Sequence, residues 1–369
     1  MAKLAEPARI TALRTRLLEW YRENRRDLPW RGSTDPYAIW VSEIMLQQTR
    51  VAVVVERYQA FVARFPTLVS LALAPEQEVL ALWSGLGYYR RARMLHKAAQ
   101  FVAGNLAGNL PAKTGELRKL PGIGAYTAAA VASIAHGEAV AVVDGNVERV
   151  LCRLAGWQPG SRKGGGAELR RKIEDLAQRL LDRARPGDFN QAMMDLGAMV
   201  CTPRNPQCLI CPLAADCQTR GEHKTARRVP MTSRDAAYGL SVRLLPAPGT
   251  REDPGMREVL LEQRTAEATV MPGMWELPSL RNCDVPANEV RMTLRHAIMR
   301  VNYYVRIRTV VEGEVKAMTV KGGRRRWVPL QEASGMALTG LTRKVLARAH
   351  LLRLPTVSVN APGGKEDII

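Results

Sequence analysis

The stretch Leu120-Pro121-Gly122-Ile123-Gly124-Ala125-Tyr126 constrains this chain more than any other. Thr114 to Lys119 can form a short helix, but Pro121 and the two glycines after it cannot prolong it. The backbone must turn sharply and restart as a helix at Ala125. A small-residue run from Thr127 to Ala135 continues that helix, Gly137 stops it, and Val143-Asp144-Gly145-Asn146-Val147 follows. Gly122 and Gly124 leave backbone N–H groups at the helix start unobstructed, which makes a neutral cradle for a nucleic-acid phosphate. By themselves these residues fit equally well a tight helix–helix turn with Ile123 plugging the core.

The remainder divides by pattern. Ile10 to Glu23 is amphipathic, and the loop Asp27-Leu28-Pro29-Trp30-Arg31-Gly32 follows it. Asp35-Pro36 is a helix start, with Asp capping free N–H groups and Pro in the first helical position. Further helices are expected over residues 51–64, 76–83, 90–103, 145–155, 168–181 and 190–200, so residues 1–220 form an all-helical domain. Residues 221–235 are polar and basic without an apolar period, which predicts a linker. Beyond it, strands are expected at 238–245, 258–263, 301–311 and 325–328, with helices near 287–294 and 342–353. Residues 236–353 thus form a separate α+β domain, and 354–369 a disordered tail. The fold class is mainly α with a C-terminal α+β domain.

A formal charge of +19 over 369 residues points to a polyanionic partner, since released counterions drive such binding whatever the sequence read. No apolar run of about 20 uncharged residues occurs, and the first residues lack a signal-peptide core. The expected location is therefore intracellular, cytoplasmic and DNA-associated, with no membrane partner.

Of six cysteines, four fall as Cys201-x6-Cys208-x2-Cys211-x5-Cys217 among prolines. Such clustering in an intracellular chain argues for a metal or cluster rather than disulfides. Spacing alone leaves zinc and iron–sulfur equally open.

LPGIGAYTAAAV, VDGNVERVLCRL and the cysteine spacing together resemble the helix-hairpin-helix DNA glycosylases of the endonuclease III superfamily. LPWRGSTDPYAIWVSEIMLQQTRV and WSGLGYYRRARMLHKAA resemble more closely the MutY-type adenine DNA glycosylases, almost unbroken over residues 26–217. The resemblance implies a [4Fe–4S] cluster on the four cysteines. It also implies a six-helix part at about 36–140 and a cluster part from 1–35 and 141–220. The expected partner is double-stranded DNA carrying adenine opposite 8-oxoguanine or guanine, bound by a monomer.

Removing a base from deoxyribose needs an acid for the leaving base and a carboxylate for the oxocarbenium-like sugar. Glu43, on a largely apolar helix where its pKa should rise, suits the first role. Asp144 suits the second by the resemblance, although at a helix start a carboxylate is commonly only a cap. Asn146 is expected to hold that geometry. Tyr126 stands where bifunctional relatives carry a lysine, which implies a hydrolase without β-lyase activity. The resemblance further implies that Trp30, Arg31 and Gln191 line an adenine pocket, and that Gln48 and Tyr88 fill the gap when the base flips out. Core packing is the competing role for Trp30. A non-catalytic DNA-binding module is the alternative reading of the whole, and the presence of both carboxylates favours the enzyme.

The C-terminal domain resembles the Nudix-like recognition domain of these glycosylases. Residues 236–353 lack the R-E-x-x-E-E helix that gathers acidic metal ligands, so no pyrophosphatase activity is expected. Ile298, Met299 and Arg300 occupy the place where the family usually has Phe-Ser-His. Arg300 is expected to supply the polar DNA contact there and Ile298 an apolar wedge.

Overall fold

The computed structural model describes residues 6–158, 166–223, 230–245, 256–280, 285–311, 314 and 324–352. Its contacts divide the chain into two units, Met1–Leu73 with Arg93–Arg228 and Ala74–Ala92 with Val229–Ile369.

Among the described residues, eleven helices run through the first two hundred positions: α1 Pro7–Asn24, α2 Pro36–Leu46, α3 Val51–Arg64, α4 Leu68–Leu73, α5 Glu76–Leu82, α6 Arg90–Asn105, α7 Thr114–Leu117, α8 Ala125–His136, α9 Gly145–Ala155, α10 Gly166–Leu180 and α11 Pro186–Met199. Caps and breakers set their limits. Prolines open α1, α2 and α11, where a missing N–H costs nothing. This is why α1 and α11 begin earlier than the expected Ile10 and Asn190. Asp35 caps α2 by accepting from the backbone N–H groups of Tyr37 and Ala38. From Ile39 to Met45 every residue of α2 is buried, which makes it a core helix rather than an amphipathic surface one.

The hairpin lies between α7 and α8. Gly122 has φ +75°, and a Cβ there would come within 2.5 Å of the Met94 Cβ, so only glycine fits the turn. A core of Leu13, Leu17, Ala130, Leu151, Ala192 and Leu196 joins α1, α8, α9 and α11. Asn190, buried in α11, accepts from Val142 N–H at 3.0 Å and donates to Ser133 Oγ and Val140 O at 2.9 Å. It thereby ties down the extended segment that delivers Asp144 to the start of α9.

In the other unit, β1 Thr232–Leu240, β5 Val290–Ile298 and β6 Val301–Thr309 make a sheet ordered β1-β6-β5, with β1 parallel and β5 antiparallel to β6. β3 Met256–Gln263 pairs antiparallel with β2 Val242–Leu245, β4 Trp275–Glu276 and β7 Arg325–Pro329. Helices α12 Leu330–Ala333 and α13 Gly340–Arg348 complete it, over a core including Leu240, Val259, Ile307 and Val345. The stretch 74–92 makes its contacts here: Tyr89 Oη donates to Leu338 O at 3.5 Å, and Arg343 Nε to Ser84 Oγ at 2.8 Å.

Three local expectations are corrected. No helix covers Ala287–Leu294; a single 3-10 turn, Ala287–Glu289, leads directly into β5. Leu294 faces Val305 across β6, and this cross-strand burial outweighs local helix preference. The strand expected over 238–245 is two strands broken at Ser241, because the chain leaves one sheet for the other there. Finally, β1 already begins at Thr232, within the expected linker, where Thr232 N–H donates to Arg300 O at 3.0 Å. Residues 354–369, expected as a tail, lie outside the described residues.

Candidate active site

Glu43 is 5% exposed in the middle of α2, and the hydroxyl of Tyr126, from the first turn of α8, donates to its Oε2 at 2.5 Å. Burial raises the Glu43 pKa above the usual carboxylate range; the Tyr126 hydrogen bond and the nearby Arg31 cation oppose that rise, and Asp144 adds to it. The Tyr126 hydroxyl is itself pushed well above its ordinary pKa by burial and by Glu43, so it stays a donor. Its oxygen also lies 3.6 Å from Met194 Sδ on α11. The hairpin thus has a second use beyond turning the chain: it aims the first residues of α8 at the carboxyl on α2.

Asp144 caps α9, accepting from Val147 N–H at 2.7 Å through Oδ1 and from Asn146 Nδ2 at 2.9 Å through Oδ2. Capping and a chemical role are compatible here, because the cap fixes where the carboxylate sits. Asn146 is held in turn by Arg149 Nη2 at 2.8 Å, while Arg149 Nε donates to Cys201 O at 2.8 Å. Gly197 of α11 permits this arrangement, since a Cβ there would meet Asn146 Cβ at 2.7 Å.

Arg31 and Gln191 are brought together as expected. Arg31 Nη1 donates to Gln191 Oε1 and, at 2.8 Å, to Tyr21 Oη, while Nη2 reaches Asp195 Oδ1 at 2.8 Å. Trp30 is buried, with its ring edge-on to Tyr58 at 5.2 Å, so core packing accounts for much of its surface.

Cys201, Cys208, Cys211 and Cys217 line one cavity together with Arg153 and Arg220. Among the described residues, no group of three or more His, Cys, Asp or Glu is placed to hold a single metal ion. Four thiols that line one cavity suit a thiophilic metal or an iron–sulfur cluster. Arg153 is buried and donates to Cys201 Sγ at 3.4 Å and to Thr202 O at 2.7 Å, and Arg220 N–H points to Cys217 Sγ at 3.5 Å; such bonds suit sulfur ligands. The chemistry of these cysteines fits a [4Fe–4S] cluster.

The expected DNA-facing residues are exposed except Ile298, which is half-buried. Gln48 follows α2 with φ +56°, and Tyr88, 52% exposed with φ +45°, lies beside the Arg91 guanidinium at 5.5 Å. Gly124 is the first residue before α8. Ile298 ends β5 and Met299 and Arg300 form the turn into β6, with Met299 75% exposed at φ +54°. Tyr88 and this turn belong to the second unit. Sequence reasoning missed Asn190, Asp195, Arg149 and Gly197. Only Gly197 left a trace, as a glycine inside a helical pattern that signals close approach.

Residues 41–180 match the family profile described as HhH-GPD superfamily base excision DNA repair protein, and residues 201–217 that of the iron-sulfur binding domain of endonuclease III. An adenine DNA glycosylase of Homo sapiens is 49% identical over 224 residues, covering 58% of this chain and 40% of the relative. One of Arabidopsis thaliana is 37% identical over 307 residues, covering 73% and 47%. The chain thus spans under half the length of these relatives. Among solved structures, a thermostable thymine-DNA glycosylase aligns with a TM-score of 0.51 at 29% identity, covering 57% of this chain and 96% of that one.

The buried carboxyl has a measurable signature. An unfolded Glu43 ionises near 4.5 and the folded one at higher pH, so between these values the unfolded chain binds fewer protons. Folding stability therefore falls as pH rises through that interval. Glu43→Gln removes the titration. The Tm of the variant minus that of the parent, followed from about pH 4 to about pH 8, should widen in favour of the variant as pH rises. A constant difference would mean that burial leaves the Glu43 pKa where it is in the unfolded chain.

Proposed function

The helical unit of this chain belongs to the helix-hairpin-helix superfamily of base excision DNA repair proteins, and we propose that the chain is an adenine DNA glycosylase. It removes adenine mispaired with 8-oxoguanine or guanine by hydrolysing the N-glycosidic bond. The observation that carries this reading is the buried Glu43 joined to Tyr126 at the hairpin, with Asp144 close enough to perturb it.

The target base leaves the duplex, at a cost of a few kcal/mol that Gln48 and Tyr88 offset by filling the gap. Glu43, kept protonated by burial, gives its proton to N7 of the adenine. The C1′–N9 bond breaks as the base takes up the bonding electrons. The resulting Glu43 carboxylate keeps the Tyr126 hydrogen bond and orients a water. Asp144, fixed by Val147 and Asn146, stabilises the sugar cation until the water oxygen bonds C1′ and its proton passes to Glu43. An intact abasic strand remains. Trp30, Arg31 and Gln191 line the pocket, and the N–H groups at Gly122 and Gly124 hold a phosphate. Cys201, Cys208, Cys211 and Cys217 would hold the [4Fe–4S] cluster in the loop after α11. The C-terminal unit, read as Nudix-like, faces the opposite base with the Ile298–Arg300 turn. The protein acts as an intracellular monomer on double-stranded DNA.

Three measurements test this. Single-turnover base release should occur from adenine opposite 8-oxoguanine and guanine, and far less from adenine opposite thymine. Glu43→Gln should slow it by roughly 10²–10⁴-fold while duplex binding persists, and undiminished release refutes the role of Glu43. Tyrosine cannot form a Schiff base, so Tyr126→Lys should gain borohydride-trappable cross-linking to DNA that the parent lacks; equal trapping by both would sink the monofunctional assignment. Arg300→Ala should lower the preference for 8-oxoguanine over guanine as the opposite base, with a smaller change for Met299→Ala. A full preference in both variants means that the turn reads nothing.

A further inference from the structure

Asp195 lies at the centre of a hydrogen-bonded group with no counterpart in the chemistry described so far. It is 0% exposed on α11, one turn beyond Gln191 and on the same face. An unpaired carboxylate at such a position costs several kcal/mol. Asp195 instead accepts from Arg26 Nε at 3.0 Å, Arg26 Nη2 at 2.6 Å, the Arg26 backbone N–H at 3.4 Å and Arg31 Nη2 at 2.8 Å. Both arginines come from the loop between α1 and α2, so one buried carboxylate pins that loop to α11.

The pinning has a consequence for Gln191. With Nη2 held by Asp195, Arg31 turns Nη1 onto Gln191 Oε1 and Tyr21 Oη. Tyr21 Oη donates to the same amide oxygen at 3.3 Å. A guanidinium has donors and no acceptor, so the amide must meet it with oxygen, which leaves its NH2 group as the donor for another acceptor. Arg31 Nε is a second donor: it is buried and has no hydrogen-bond partner. A buried unsatisfied donor costs about 1–3 kcal/mol, which is relieved when an acceptor arrives.

We propose that Asp195 is a positioning residue that sets the hydrogen-bonding sense of the base pocket. By locking Arg31 onto the Gln191 oxygen, it makes this wall present N–H donors alone. A donor of that wall set against N1 then pairs with adenine, whose N1 is an acceptor, and finds no acceptor in hypoxanthine, whose N1 carries hydrogen. Discrimination arises because the wrong base leaves buried donors unpaired. The inference rests on the proposed glycosylase reading and adds to it a device for base selection.

The test compares single-turnover release of adenine and hypoxanthine from otherwise identical duplexes by the full chain. Asp195→Asn keeps the shape but loses the charge and adds donors, so Arg31 is released and the Gln191 amide can turn. The adenine-to-hypoxanthine ratio should fall at least about tenfold. Tyr21→Phe, a milder change, should give a smaller fall in the same direction. Arg26→Gln removes the other partner of Asp195 without touching Gln191 and should leave the ratio within about twofold of the parent. Unfolding temperature and the brown cluster absorption report whether each variant is intact. The proposal is overturned if Asp195→Asn and Tyr21→Phe keep the parental ratio, or if Arg26→Gln loses as much as Asp195→Asn, which would make the carboxylate merely structural. If Asp195→Asn does not fold, Tyr21→Phe decides. A parent that releases no adenine overturns the glycosylase reading instead, and the clamp is then judged on equilibrium binding of the two duplexes by parent and variants.

Discussion

A carboxyl group buried inside a helix bundle, where its charged form is disfavoured, is the constraint on which the helical unit depends. Taking an ionised carboxylate out of water costs several kcal/mol, whereas a hydrogen bond to a charged group returns about 1.5–3 kcal/mol. For Glu43 burial therefore outweighs Tyr126 and Arg31 together, and its pKa lies above the usual carboxylate range. That outcome requires α2 to be covered on all sides, and the hairpin and α8 supply one of the covers. The same tyrosine that helps to bury Glu43 gives the carboxylate a partner once the proton has gone.

Helix α11 is the platform that brings the remaining pieces to this carboxyl. Asn190 holds the segment leading to Asp144, Gln191 and Asp195 hold the Arg31 loop, Met194 touches the Tyr126 hydroxyl, and Gly197 makes room for Asn146. Its end runs into Cys201, whose carbonyl accepts from Arg149 and Arg153 of α9. Beyond it, the four cysteines line one cavity in the loop after α11.

The second unit stabilises a different kind of feature. Met299 occupies the left-handed region, which costs a non-glycine residue roughly 1 kcal/mol, and it does so in a turn between two long paired strands. The Arg300 carbonyl is tied by the N–H of Thr232 at the start of β1. The turn is therefore held by three strands, and its side chains are left outward. Sheet pairing of this kind also explains why helix preference failed at 287–294: β6 offered Leu294 a buried partner that no local pattern records.

Much of this protein was legible along its sequence, because certain residues act through their immediate neighbours. Pro121, Gly122 and Gly124 force the hairpin, Asp35-Pro36 opens α2, Asp144 caps α9, and the cysteine spacing gathers four thiols. Glu43 was also visible, since a lone acid on an apolar helix is conspicuous by composition alone. The tertiary structure decided whatever depends on contacts between distant segments. Tyr126 reaches Glu43 across 83 positions, Asn190 fixes the approach to Asp144, and Asp195 binds a loop more than 160 residues away. The partner of a buried polar group is set by which helices pack together, and neither its type nor its spacing in the sequence carries that information.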